Sequence, residues 1–386
     1  MSGGMVIRDA LLGGAIAPLL YYLAALVAAL RFSARPCRRE GNFCPPVSIL
    51  KPIRGLDRET YENYASFCRQ NYPEFEILFC VADTREPAVP VIEKLIQDFP
   101  ARSIRLLIGS EPLGVSDKVN KLCRLVREAR YDIVLISDSD VRIEPGFLGR
   151  IVGPFSDAMV GGVTCLYRGL SDGSIAADME ALGNSTDFAP GVLVAWLLGD
   201  LDFMLGAVMA TTKQQLEKIG GLETLVDHLC DDYELGNRIA KSGHRVELSR
   251  CPVSIVYPHQ TLSDAFRHQL RWNMTIRCSR PWGHLGLIFS QGLPWACLAA
   301  AVAPTWGVAG AYLLAYAILR VGVAWIVAIR LLGDRLAAPP MWMLPLRDAM
   351  GFSVWLLSFF PHRIRWRGQE FYIRDKRLVP IPSRQP

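Results

Sequence analysis

From Ala10 to Leu30 the chain carries no charged residue, and Arg31, Arg35, Arg38 and Arg39 follow directly. About 20 apolar residues suffice to cross a bilayer as a helix. A cleaved signal peptide has its basic residues first and a small-residue cleavage site after; here the order is reversed. A retained helix with its C-terminal end in the cytoplasm obeys the positive-inside rule. A second charge-free stretch runs from Leu285 to Leu319 and, past Arg320, stays apolar to Ile329. That is room for two more spans. A third stretch, Met341 to Pro361, is interrupted by Arg347-Asp348, and the tail behind it is basic: Arg363, Arg365, Arg367, Arg374, Lys376 and Arg377. Two C-terminal spans return that tail to the cytoplasm and three do not. The expectation is two spans plus an interfacial or re-entrant segment.

Between these ends lies a mixture of charged and apolar residues typical of a soluble domain. The expected organisation is an N-terminal anchor over residues 1–31, a basic linker over 32–46, a cytoplasmic domain over 47–283, a membrane region over 284–361 and a basic tail over 362–386. The 10 cysteines stand singly, without a CxxC pair, which excludes zinc-finger spacing and a small disulfide framework. A net charge of +5, concentrated near the membrane segments, suits anionic lipid headgroups and not nucleic acid.

From Val47 onward the pattern alternates. Strands are expected at Val47–Leu50, Phe75–Val81, Ile104–Ile108 and Asp132–Ile136, with helices near Glu59–Arg69, Val89–Phe99 and Lys118–Ala129 between them. Such alternation predicts a parallel, doubly wound α/β sheet with helices on both faces. Further on, Gly162–Tyr167, Ala207–Thr212 and Arg245–Leu248 read as more scattered strands. The apolar segment Phe188–Gly206, broken by Asp200 and Asp202, reads as a core helix or as a lipid-contacting one.

Ligands of open α/β sheets bind beyond the carboxyl ends of the strands. Three acidic stations fall there. Asp83 ends the strand Phe79–Val81, Asp138-Ser-Asp140 ends the run Ile133–Ile136, and Asp231-Asp232 opens a helix-like stretch. Two carboxylates two residues apart can share a hard divalent cation and leave positions open for phosphate oxygens. The triplet alone is equally compatible with an acidic turn, and Asp231-Asp232 with helix capping. The fourth station is His268-Gln-Leu-Arg271-Trp272, where Arg can clamp a diphosphate and the indole can pack on a ring. At a membrane edge, Arg and Trp are also common interfacial residues.

As an ordered set, Asp83, Asp138-x-Asp140, Asp232 and xxxRW ahead of C-terminal membrane helices resemble the membrane-anchored glycosyltransferases of the GT-A superfold. The stretches LKPIRGLD, YENYASFCRQNYP, ILFCVAD, GVSDKVNKL, SDSDVRI and CDDYELG resemble the ceramide glucosyltransferase family. With TCLYRG, HQLRW…TIR and RPWGHLG, the resemblance is closer still to its bacterial, hopanoid-associated glucosaminyltransferase branch.

The resemblance implies a GT-A (Rossmann-like) domain that transfers a hexose from a UDP-sugar to the hydroxyl head of a membrane lipid, with inversion. The lipid expected is a hopanoid, with ceramide as the alternative, and the sugar is glucose or N-acetylglucosamine. The resemblance gives Asp83 to the uridine, Lys118 to the nucleotide and Asp138 to the diphosphate. Asp140 holds Mg²⁺ or Mn²⁺, and Asp232 takes the acceptor's proton. Arg271 and Trp272 stabilise the leaving UDP and line the acceptor site. Four residues before Trp272, where the general superfamily pattern has Gln or Arg, this chain has His268, a titratable donor of different shape. The implied location is a bacterial inner membrane. A DxD phosphatase shares the Ile133–Val141 pattern but not the two preceding β-α units or His268–Trp272. A polysaccharide synthase would need more membrane helices.

Overall fold

The computed structural model describes residues 3–35, 43–199, 201–360, 363–366, 369–374 and 377–380. Arg38 and Arg39 of the expected basic linker, and Arg367 and Lys376 of the tail, lie outside them. The chain divides into two compact units. One comprises Met1–Arg35, Ser171–Gly199 and His259–Pro361; the other comprises Pro36–Leu170, Asp200–Pro258 and His362–Pro386.

The second unit is built on an eight-stranded sheet. Its strands are β1 (Val47–Pro52), β2 (Phe75–Val81), β3 (Ser103–Ile108), β4 (Ile133–Ser137), β5 (Val141–Arg142), β6 (Val160–Leu170), β7 (Val208–Thr212) and β8 (Arg245–Val256). Their order across the sheet is β3-β2-β1-β4-β7-β6-β8-β5. β1 to β4 pair in parallel, as expected of strands joined by helical crossovers. The remainder departs from the all-parallel expectation: β7 runs antiparallel to both β4 and β6, so the sheet is mixed. The crossover rule binds only strands linked by a helix packed on the sheet. β7 follows a long connection after β6 and enters from the opposite end.

Every residue of β2 and β4 is buried, which is why their sequences are continuous apolar runs and not alternating ones. The helix Asp117–Glu128 closes one face, placing Val119, Leu122 and Leu125 against Leu50, Leu78, Val134 and Ile136. Ser116 caps that helix by accepting from the Val119 N–H. A small antiparallel sheet of Arg363–Trp366, Gln369–Arg374 and Arg377–Pro380 completes the unit.

The first unit is helical. Gly3–Ala34 and Trp306–Leu331 are long and apolar enough to cross a membrane; Pro281–Ser290 and Gly292–Val302 form a third candidate, bent by 53° at the break. Close packing uses small residues, as in membrane bundles. A Cβ on Gly292 would lie 2.5 Å from Tyr22 Oη. Trp282, Trp306 and Trp342 stand out from the surface, as anchors at a membrane boundary do. Within Phe188–Gly206 the α-helix runs over Ala189–Leu197, where Val192 and Leu193 are buried. Phe32 packs edge-on against Trp196, at 5.2 Å between ring centroids. The third apolar stretch becomes the helix Leu344–Leu357, with Arg347 and Asp348 buried in protein. The charged pair therefore faces partners inside the bundle and not a headgroup layer.

Candidate active site

The parallel half of the sheet delivers its strand ends to one edge. β4 stops at Ser137, and Asp138 and Asp140 follow in the turn before β5. Asp138 N–H donates to Ala207 O at 3.2 Å and Val256 N–H to Asp140 O at 2.9 Å, so neighbouring chain segments hold both ends of the turn. From below, Lys51 Nζ donates to Asp138 O at 2.9 Å and to Ser137 Oγ at 3.2 Å. Lys51 is fully buried and lies 3.7 Å from the Phe67 ring centroid. Burial lowers its ammonium pKa to about 7 against the opposing pull of Asp140 and Asp138.

Lys118, on the first turn of Asp117–Glu128, reaches the same place. Its Nζ is 2.8 Å from Asp138 Oδ1 and 3.5 Å from Asp231 Oδ2. Burial works against its charge, yet Asp138 and Asp231 hold its pKa above the ordinary lysine value. The turn ahead of it is stitched to the loop leading to Asp231. Ser116 N–H donates to Val226 O at 2.8 Å, and Val115 N–H donates to Asp227 Oδ1 at 3.0 Å. Gly114 is required for that approach, since a Cβ there would lie 2.4 Å from Val226 Cγ2.

Asp231 and Asp232 open the helix Asp231–Lys241, where negative charge meets the positive end of the helix dipole. Neither caps it from outside: the N-cap is Cys230, which makes no side-chain cap. Asp232 Oδ1 accepts from Tyr233 N–H at 2.7 Å and from Cys230 Sγ at 3.0 Å. Oδ2 faces the bare Cα of Gly206, where a Cβ would lie 2.9 Å away. Desolvation, then Asp231, raises the Asp232 pKa from its ordinary value. Asp83 lies just past β2, exposed, and accepts from its near neighbour Arg85 at 2.7 Å through the backbone N–H.

His268, Arg271 and Trp272 belong to the helical unit, on Leu262–Ser279, which starts at a capping box formed by Thr261 and Asp264. The His268 and Trp272 rings, one turn apart, are 4.7 Å apart at their centroids, and Phe188 lies 6.5 Å from Trp272. Sequence reasoning missed Lys51, Asp57 and Glu180. A lysine directly behind Ile49-Leu50 in a buried strand was the available signal for the first. Nothing local distinguishes Glu180.

The carboxylates at the strand ends suit a cation. Desolvation and the neighbouring Asp138 push Asp140 up to about 7, and desolvation also raises Asp57. Asp57 Oδ2 and Asp231 Oδ2 are buried without a hydrogen-bond partner among the described residues. No group of three or more His, Cys, Asp or Glu side chains among the described residues is arranged to ligate a metal.

A mixed sheet with acidic strand ends and a helical unit of membrane-type helices make up a GT-A-like fold. The chain belongs to glycosyl transferase family 21, whose family model matches residues 11–379. It is 31% identical over 229 residues to ceramide glucosyltransferase 1 of Caenorhabditis elegans, covering 59% of this chain and 49% of the relative. It is 33% identical over 155 residues to the ceramide glucosyltransferase of Gibberella zeae, covering 38% and 29%. The chain thus spans about half the length or less of the curated relatives it matches. Its fold is similar to that of the mannosyltransferase PcManGT from Pyrobaculum calidifontis, solved with GDP-Man and Mn²⁺. The TM-score is 0.55 at 18% identity, over 92% of this chain and 98% of the other.

Proposed function

We propose that the enzyme transfers a hexose from a UDP-sugar to the hydroxyl of a membrane lipid, with inversion at the anomeric carbon. The observation that carries this reading is the gathering of Lys118, Asp138, Asp140, Asp231 and Asp232 beyond the carboxyl end of β4. Lys118 and Asp138 meet the diphosphate side of the donor, and Asp83 the uridine. Asp140, with Asp138, would hold Mg²⁺ or Mn²⁺. When bound, the cation offsets charge developing on the departing diphosphate. Asp232 takes the hydroxyl proton on Oδ2, while Oδ1 stays fixed by Tyr233 and Cys230. Arg271 and Trp272 serve the leaving UDP and the acceptor. The membrane-type helices, with Arg31 and Arg35 after the first, support an integral membrane protein with its catalytic unit in the cytoplasm, and a bacterial inner membrane is the setting proposed.

Of the two acceptors, ceramide gains support from the names of the relatives. The hopanoid reading rests on TCLYRG, HQLRW…TIR and RPWGHLG. Purified enzyme in nanodiscs, given radiolabelled UDP-glucose or UDP-N-acetylglucosamine with each lipid, should label one lipid with one sugar. Absence of any glycolipid product, with Mg²⁺ and with Mn²⁺, would sink the reading.

A further inference from the structure

Glu180, on the helix Ile175–Gly183, has no exposed surface. Its Oε1 meets His268 Nδ1 and lies 3.5 Å from Gln269 Nε2, and its Oε2 accepts from Gln260 Nε2. Three donors on one carboxylate satisfy a group that has lost all contact with water. The chain of contacts continues behind it. Gln269 Oε1 accepts from Arg347 Nη2 at 3.2 Å, and Arg347 Nε lies 3.1 Å from Asp187 Oδ2. Gly183 leaves room for this arginine; a Cβ there would overlap its guanidinium. Glu180 is thus fixed from several sides, while the His268 side chain remains partly exposed.

A carboxylate accepts and does not donate here, so the ring proton sits on Nδ1. The other nitrogen, Nε2, has no hydrogen-bond partner among the described residues. Packing against Trp272 limits the ring's rotation. A histidine whose one nitrogen is committed to a carboxylate presents its second in a defined tautomer and direction. We propose that Glu180 is a positioning residue, which holds the His268 ring so that Nε2 meets the hydroxyl of the lipid acceptor. The inference rests on the proposed function, in which Trp272 serves the acceptor, and takes His268, one turn before it on the same helix, as an acceptor-side residue. It also accounts for a histidine where the general superfamily pattern has Gln or Arg, since an amide or guanidinium needs no carboxylate to set a tautomer.

The test is a double-mutant cycle of E180Q and H268Q, with H268A as control, on full-length enzyme in nanodiscs. Lipid-acceptor kcat/KM and UDP-sugar Kd are measured for each. E180Q should lower acceptor kcat/KM about 10- to 100-fold and leave UDP-sugar Kd unchanged. In the H268Q background it should cost less than about threefold. An equal loss in both backgrounds would make Glu180 a structural tie and overturn the proposal. So would an E180Q enzyme as active as wild type beside an impaired H268A, which would leave the reading of His268 standing. H268A with wild-type activity would remove both. Should E180Q fail to fold, E180D runs the same cycle, with a loss expected only where His268 is present.

Discussion

Lys118 Nζ lies 2.8 Å from Asp138 Oδ1, a lysine on the first turn of a helix meeting a carboxylate that ends a parallel strand. Without it, the diphosphate of the proposed donor would face Asp138, Asp140 and Asp231 with only the buried Lys51 ammonium close by. Lys118→Met should therefore weaken UDP-sugar binding. Hydrogen bonds to charged groups contribute about 1.5–3 kcal/mol, so the loss should be roughly 10- to 150-fold in Kd. Calorimetric titration of solubilised enzyme with UDP-sugar would measure it. An unchanged Kd would take Lys118 out of the donor site.

The raised pKa of Asp232 has two consequences with opposite signs for activity and stability. A base works only when ionised, so the acid limb of kcat/KM should lie above the ordinary carboxylate value of 3.8. A folded-state pKa above the unfolded one means that the ionised carboxylate costs stability at neutral pH. That cost disappears as pH falls through the folded pKa. Asp232→Asn should accordingly bind UDP-sugar, lose transfer, and melt at a higher temperature than wild type at pH 8. The difference in Tm should shrink on acidification. Retained turnover would end the role of Asp232 as the base, and a lower Tm at pH 8 would contradict the desolvation argument.

Asp140→Ala should uncouple the donor from the cation. In the wild type, removing divalent ions with a chelator should weaken UDP-sugar binding, and Mg²⁺ or Mn²⁺ should restore it. The variant should bind the donor equally weakly with and without the ion. If its metal dependence matched the wild type's, the cation would have to be held elsewhere.

The strand Phe75–Val81 was legible to its last residue because complete burial writes itself as an unbroken apolar run. The place of Asp138 and Asp140 at a strand end was legible for a related reason, since they directly follow the buried run Ile133–Ser137. Strand direction was not. β7 pairs antiparallel with β4 through Ile133 and Thr212, and nothing within Val208–Thr212 encodes which partner or polarity it takes. Nor was Glu180 visible, because its partners Gln260 and His268 lie about 80 residues away and only the fold brings them together. Cys230 is in sequence one more single cysteine; its contact with Asp232 depends on the loop geometry before the helix.

Charges interrupting the apolar stretches were noticed in sequence, and the structure supplies their partners. Arg320, 2% exposed, donates from Nε to both oxygens of Asp348 at 3.0 Å, from Nη2 to Asp348 Oδ1 at 2.6 Å, and from Nη1 to Thr186 O at 2.8 Å. Tyr316 Oη donates to Asp348 Oδ2 at 2.6 Å. Thr186 lies in the π-helical turn Asn184–Phe188, and π-helical turns inside α-helices occur frequently at functional sites. Removing one partner of a buried pair leaves the other uncompensated and costs about 3–5 kcal/mol, whereas replacing both is often neutral. Arg320→Met should thus lower the Tm of the solubilised protein sharply. Adding Asp348→Leu should recover much of the loss, short of the part owed to Asp187 and Thr186, which still lack their donor. Equal destabilisation by the single and the double variant would show that Asp348 is not the partner that makes Arg320 tolerable inside the bundle.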